Sequence, residues 1–234
     1  MSDKLRIIDF HSHILPCADH GSDGIETSKN QVGLMNNAGV DTVVLTPHFY
    51  PNRHRVSDFT IAISSAADEL IAECDTRPRF CLGAEVLYCD GMEEMEDLNE
   101  LCIKGTNVLL LELPMTEKWN KTLVYEIKRL SAKYTVILSH IDRYILFHKN
   151  ELMNLLDCES IHAQINASAL FNNGDRHRLQ PFIDAGLIHA IGSDLHGYGK
   201  RLYRHFEKSE KKLGKNYAKI MENSAELLKN ATLY

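Results

Sequence analysis

Short apolar runs alternate along this chain with longer stretches whose apolar residues recur at helical spacing. Seven runs read as β-strands: residues 5–10, 42–47, 80–84, 108–111, 135–139, 161–165 and 190–193. Between them the 3.6-residue period predicts helices over 25–38, 58–73, 123–133, 151–156 and 178–185, with Gly39 and Gly186 as C-terminal stops. The tail predicts helix over 202–213 and 217–230, with Gly214 between them. Asn223-Ser224-Ala225-Glu226 has the spacing of a capping box. Regular β-α alternation predicts a parallel sheet with helices outside it. Seven units within about 190 residues favour a closed barrel over an open, doubly wound sheet.

The ends of the runs carry the chemistry. Six of the seven lead into a His, Asp or Glu: His11-Ser12-His13, His48, Glu85, Glu112, His140 and Asp194-Leu195-His196. Only 161–165 ends otherwise, at Asn166. Parallel strands closed into a barrel bring their C-terminal ends to one face, so these side chains should meet in one pocket. His11 and His13 point the same way on an extended strand and can clamp one ion. Glu112 follows four apolar residues, so its carboxylate needs a metal or an arginine beside it. Imidazole mixed with carboxylate suits Zn, Mn or Fe, and supply from many strands suits a multinuclear site. The longest irregular stretches, 16–24 and 49–57, follow ligand-bearing runs and should line the mouth.

Size and charge narrow the field. The 234 residues fit one barrel-sized domain, and a net charge of -6 argues against broad nucleic-acid binding. No run approaches the ~20 apolar residues of a membrane span, and no signal peptide is visible, so a cytoplasmic location without membrane insertion is expected. The six cysteines form no C-x-x-C pair and read as free thiols. None is followed six positions on by arginine, so a cysteine-based phosphatase loop is absent. Oligomeric state leaves no mark in the pattern.

The ordered set Ile8-Asp9-Phe10-His11-Ser12-His13-Ile14-Leu15-Pro16, Thr46-Pro47-His48, Gly83-Ala84-Glu85, Leu111-Glu112-Leu113-Pro114, Ser139-His140-Ile141-Asp142-Arg143-Tyr144 and Gly192-Ser193-Asp194-Leu195-His196 resembles the PHP (polymerase and histidinol phosphatase) superfamily. Within it, the chain is similar to the bacterial PHP-type protein tyrosine phosphatases of capsule and exopolysaccharide synthesis. The resemblance covers nearly the whole length and closes on Glu222-Asn223-Ser224-Ala225-Glu226-Leu227-Leu228. It implies a single domain over 1–234, a distorted (β/α)7 barrel, and three divalent ions of Mn, Fe or Zn. The first ion would take His11, His13, Glu85 and Asp194. The second would share Glu85 and add Glu112 and His140. The third would take His48, His196 and one of Asp19 and His20. The phosphatase branch usually carries two aspartates before the glycine, where this chain has Asp19-His20-Gly21. A nitrogen ligand there leans toward Zn or Fe. Asp142 and Gly197 also depart, standing where glutamate and asparagine are usual.

The implied activity is hydrolysis of phosphotyrosine by direct attack of a metal-bound hydroxide, with no phosphoenzyme. Arg143 and Arg201 match arginines that the family uses on the phosphate, and arginine suits bidentate phosphate contact. Whichever of Asp19 and His20 is not committed to metal is the candidate general acid. The implied substrate is a phosphotyrosine protein, the tyrosine-rich tail of a capsule-type tyrosine kinase. Two rivals remain: a small-molecule phosphatase of the histidinol-phosphate type or another PHP phosphoesterase, and a metal-binding regulator without catalysis. Aromatic and basic residues over 49–55 either stack on the substrate ring or form a polar loop, and Trp119 either rims the pocket or staples a loop.

Overall fold

A computed structural model describes residues 5–74, 77–115, 118–197 and 200–234, apart from the side chains of 200–202. The elements alternate as the pattern predicts. β1 (Ile8–Ser12) is followed by α1 (Ile25–Asn37), β2 (Thr42–Leu45), β3 (His48–Phe49), α2 (Val56–Ala72), β4 (Arg79–Leu82) and β5 (Glu85–Leu87). Then come β6 (Val108–Glu112), α3 (Lys121–Leu130), β7 (Thr135–Leu138), α4 (Lys149–Leu156), β8 (Ile161–Asn166), α5 (Asn173–Asp184) and β9 (Ile188–Gly192). The chain ends with α6 (Lys200–Glu207), α7 (Ser209–Leu213) and α8 (Asn216–Leu227).

Two of the seven runs are interrupted, which is why nine strands appear among the described residues. Thr46-Pro47 separates β2 from β3, where proline lacks the N–H a ladder needs, and Gly83-Ala84 separates β4 from β5. Hydrogen bonds bridge both breaks: Gly83 N–H donates to the Leu45 carbonyl (2.9 Å) and Glu85 N–H to that of Pro47 (3.1 Å). All strand pairs are parallel, in the orders β1-β2-β4 and β3-β5-β6-β7-β8-β9. Just past β9, Asp194 N–H donates to the His11 carbonyl (2.9 Å) and His13 N–H to that of Leu195 (3.2 Å). At the C-terminal ends of the strands the ring is therefore closed, as a distorted seven-stranded α/β barrel. Its strands read as continuous apolar stretches, as in Val108–Leu111 and Val136–Leu138, because both faces are covered. The free edge of β4 is capped by the C-terminal segment, Phe80 and Tyr234 exchanging two backbone hydrogen bonds (3.1 and 3.0 Å).

Three local expectations are corrected. The helix expected from 178 begins at Asn173, because the Asn172 side chain accepts the N–H groups of Gly174 (2.9 Å) and Asp175 (3.2 Å). The tail helix breaks at Lys208 into α6 and α7. The apparent capping box at Asn223–Glu226 lies inside α8, where buried Ser224 donates to the His189 carbonyl (3.2 Å). A start signal read from spacing alone cannot tell a cap from a helix interior that tertiary packing sustains.

His162 on β8 and His189 on β9 pack against each other at the strand ends remote from the candidate site, with ring centroids 4.3 Å apart and the rings tilted by 49°. Burial, and then His189, push the His162 imidazole down to about 4. Burial also lowers His189 despite its bond to the Leu187 carbonyl. An unfolded histidine takes up its proton near ~6.5. Between that value and about 4 the unfolded chain binds more protons, so folding stability falls as pH drops through this window. Replacing His162 with glutamine should flatten the pH dependence of the urea midpoint between roughly pH 6.5 and 4, relative to the parent protein. An unchanged slope would show that this pair does not titrate on unfolding.

Candidate metal centre

The register of the barrel brings the charged strand ends together. His11 and His13 leave the end of β1, His48 opens β3, Glu85 opens β5 and Glu112 closes β6. His140 follows β7, and Asp194 and His196 follow β9. Parallel pairing sets His48 directly beside Glu85, and Glu112 beside Leu87.

Glu85 is the hub and is fully buried. Its Oε2 lies 3.0 Å from His48 Nδ1, 3.2 Å from His11 Nε2 and 3.4 Å from His13 Nε2, while Oε1 lies 2.8 Å from His140 Nε2. Neither carboxylate oxygen has a hydrogen-bond partner, and nor do the buried His48 Nδ1 and His196 Nε2. Asp194 Oδ1 stands 3.5 Å from His13 Nε2 and from His196 Nδ1, and 3.9 Å from His11 Nε2. Glu112 Oε1 lies 3.7 Å from His140 Nε2. Three sets converge tightly enough to share a cation: His11, His13 and Glu85; His48, Glu85 and Glu112; His13, His48 and His196. Orphaned carboxylate and imidazole atoms in a buried pocket fit divalent metals, which need such donors without competing hydrogen bonds.

Electrostatics point the same way. Burial works against the Glu85 carboxylate, yet the charges of His11 and His140 hold it well below its ordinary value. Burial likewise opposes ionisation of Asp194, but His11, His13 and Arg143 outweigh it and hold the group at about 2. Burial would lower His13, but Asp19 and Glu85 carry it up to about 10. Glu112 is raised, first by burial and then by the charge of Glu85. Carboxylates this crowded draw protons onto neighbouring imidazoles, and a divalent ion would displace those protons on binding.

Asp19 and His20 play different parts. Asp19 Oδ2 accepts from His13 Nδ1 (2.7 Å) and from His48 N–H (3.0 Å), and Oδ1 accepts from Gly21 N–H (2.7 Å). The carboxylate is thus committed to holding His13 and its loop. His20 is exposed, its ring 4.6 Å from that of His196 and 4.9 Å from that of His48. The loop over 16–24 does line the mouth.

Two positions are held in backbone conformations that side chains resist. His140 has φ 30° and Asp194 φ 52°, both left-handed. Such strain persists only where the surroundings over-determine it. Around Asp194 those surroundings are Asn166 Nδ2, which donates to Oδ2 (2.8 Å), and an Arg143 guanidinium nitrogen on the same oxygen. Asp142 Oδ1 accepts from Asn166 N–H (2.8 Å). Arg143 keeps 38% of its side chain exposed, so it sits at the opening. The side chain of Arg201 lies outside the described residues.

Sequence reasoning missed Gln164. It is fully buried on β8 and contacts two ligand-type histidines. The available signal was alternation: His162, Gln164 and Asn166 place polar groups on one side of a strand otherwise built from Ile and Ala. Phe49 is buried, His54 packs on Phe59 (5.5 Å), and Tyr50 lies against His48 (5.4 Å). Trp119 is a staple: Nε1 donates to the Pro114 carbonyl (2.9 Å) and its ring stacks on His148 at 4.2 Å.

Comparison with known proteins agrees with this geometry. Tyrosine-protein phosphatase CpsB of Streptococcus pneumoniae is 25% identical over 211 residues, covering 83% of this chain and 85% of that protein. CpsB of Streptococcus agalactiae serotype V is 26% identical over 212 residues, covering 83% and 85%. Among solved structures, one from work on YwqE of Bacillus subtilis and CpsB of S. pneumoniae, described as unique metal-dependent tyrosine phosphatases, superposes with a TM-score of 0.78. It shares 23% identity over 97% of this chain and 96% of that one. The inactive dihydroorotase-like domain of a Chaetomium thermophilum CAD-like multifunctional protein shares the fold more distantly, with TM-score 0.51 and 11% identity over 97% and 79% of the two chains. Among the described residues no helix is long and apolar enough to cross a membrane. With residues 7–229 matching the family of capsular polysaccharide synthesis proteins CpsB/CapC, the chain belongs to that family.

Proposed function

We propose that this chain is a metal-dependent protein tyrosine phosphatase, acting in the cytoplasm on a phosphotyrosine protein of capsular or exopolysaccharide synthesis. A capsule-type tyrosine kinase is the substrate this reading favours. The observation that carries the proposal is Glu85, buried and without a hydrogen bond, ringed by four imidazoles within 3.4 Å and placed near an arginine at the opening. The residues form one domain-sized barrel holding three divalent ions. His11, His13, Glu85 and Asp194 hold the first, Glu85, Glu112 and His140 the second, and His48, His196 and His20 the third. His20 takes that place because Asp19 is occupied by three hydrogen bonds.

Bound divalent ions make hydroxide available near neutral pH and neutralise charge on a phosphoryl group. The chain's own residues do the rest. Asp19 orients His13, leaving its Nε2 toward Glu85. Asn166 and Arg143 hold Asp194 in its left-handed conformation. One Arg143 nitrogen is tied to Asp194, and a guanidinium has five N–H donors, so others can meet phosphoryl oxygens. Arg201, at the start of α6, is proposed as a second phosphate ligand. A phenolate leaves readily, its parent pKa being ~10, so little general acid is required.

The test is a substrate panel with metal content measured on the same sample. Purified protein should hydrolyse p-nitrophenyl phosphate and phosphotyrosyl peptide, lose at least about 99% of the rate on chelation, and keep it after thiol alkylation. Far higher kcat/KM on a small phosphate than on the peptide would favour the small-molecule reading. Full activity without metal would end the proposal.

A further inference from the structure

β8 supplies no candidate metal ligand, its His162 lying at the strand end remote from the site, yet Gln164 further along it contacts two ligand-type histidines. Gln164 is fully buried. Its Oε1 accepts the backbone N–H of His140 (2.5 Å) and lies 3.3 Å from His11 Nδ1. Its Nε2 donates to the Ile165 carbonyl (2.7 Å) and to Asn166 Oδ1 (3.1 Å).

These contacts admit only one orientation of the amide. A backbone N–H can only donate, so the atom facing His140 N must be the oxygen. The same oxygen then faces His11 Nδ1, which must carry the proton. That leaves the lone pair of His11 on Nε2, the nitrogen 3.2 Å from Glu85. His13 reaches the same state through a different partner, the carboxylate of Asp19.

We propose that Gln164 is a positioning residue for the metal centre: one side-chain oxygen sets the tautomer of His11 and anchors the left-handed backbone of His140. Because the two histidines belong to different candidate ions, this amide ties the geometry of one ion site to that of the other. A neutral amide does so without adding a further negative charge beside Glu85, Glu112 and Asp194. The inference rests on the reading that the cluster binds metal, and not on which phosphate ester is cleaved.

Zinc-loaded protein tests it, since zinc is diamagnetic. Imidazole 1H–15N spectra should show the His11 proton on Nδ1, exchanging slowly with water. Gln164→Leu removes the acceptor, and zinc affinity by chelator competition should fall about 10- to 100-fold, with rapid exchange of that proton. Gln164→Glu, protonated in this buried acidic cluster, keeps an acceptor oxygen and supplies an O–H donor in place of Nε2–H, and should restore most of the affinity and protection. A His11 proton on Nε2 in the parent protein would overturn the proposal, as would a leucine variant matching the parent in both readouts. Should the leucine variant not fold, the parent tautomer and the glutamate variant still decide. Loss of the phosphatase reading, with these results intact, would leave the role of Gln164 standing.

Discussion

Glu85→Gln is expected to lower kcat on phosphotyrosyl peptide by about a thousand-fold, equivalent to ~4 kcal/mol, and to cost the protein at least one bound metal. The substitution keeps size and removes charge, so it isolates the electrostatic role. Glu85 is the one carboxylate facing His11, His13, His48 and His140, and both its oxygens lack hydrogen bonds. A neutral amide there would turn an N–H donor toward imidazoles or metal and leave the centre short of negative charge. The measurements are steady-state kinetics and elemental analysis of the same preparation. A glutamine variant with full metal content and more than about a tenth of the parent rate would remove Glu85 from the centre of the mechanism.

Gly192→Ala should destabilise the fold by about 3 kcal/mol, a fall in Tm of roughly 6–12 °C for a chain of this size. Gly192 ends β9 where the barrel closes on β1. A Cβ there would sit 2.4 Å from His11 Cβ, 2.8 Å from Gln164 Nε2 and 3.1 Å from His11 N. Two of those atoms belong to His11 itself, which cannot retreat without leaving the candidate metal centre. The same variant should therefore bind metal more weakly, even at temperatures where it is folded. Gly33→Ala, inside α1 with nothing within 4 Å of its would-be Cβ, is the control and should be neutral or slightly stabilising. Equal melting temperatures for the Gly192 variant and the parent would show that the seam relaxes more than its geometry suggests.

Much of this protein is legible along the chain, for a simple reason. Strand ends in a parallel barrel are both a local pattern and a global location. A run such as Val108–Leu111 followed by Glu112 announces a buried strand and places its carboxylate at the open face. The same logic places His11, His13, His48, Glu85, His140, Asp194 and His196 at one end of the fold from strand period and chain order alone. Helices followed their apolar period to within a few residues. The exceptions were the start of α5, set by the Asn172 side chain, and the break at Lys208.

What the pattern could not carry is everything that depends on direction and on partners distant in the chain. The roles of Asp19 and His20 are indistinguishable as neighbours in sequence. They separate only because the Asp19 carboxylate meets His13, His48 and Gly21, while His20 turns outward to His196. Gln164 lies 153 residues from His11 and 24 from His140, and no local propensity marks such a meeting. The left-handed backbones of His140 and Asp194 run against the preference of their own residue types and exist because tertiary contacts impose them. The chain by itself determined which residues reach the open end of the barrel, since strand period and chain order suffice for that. Only the folded structure decided which of them converge closely enough to share a cation and which hold their neighbours in place, because that depends on geometry between segments far apart in sequence.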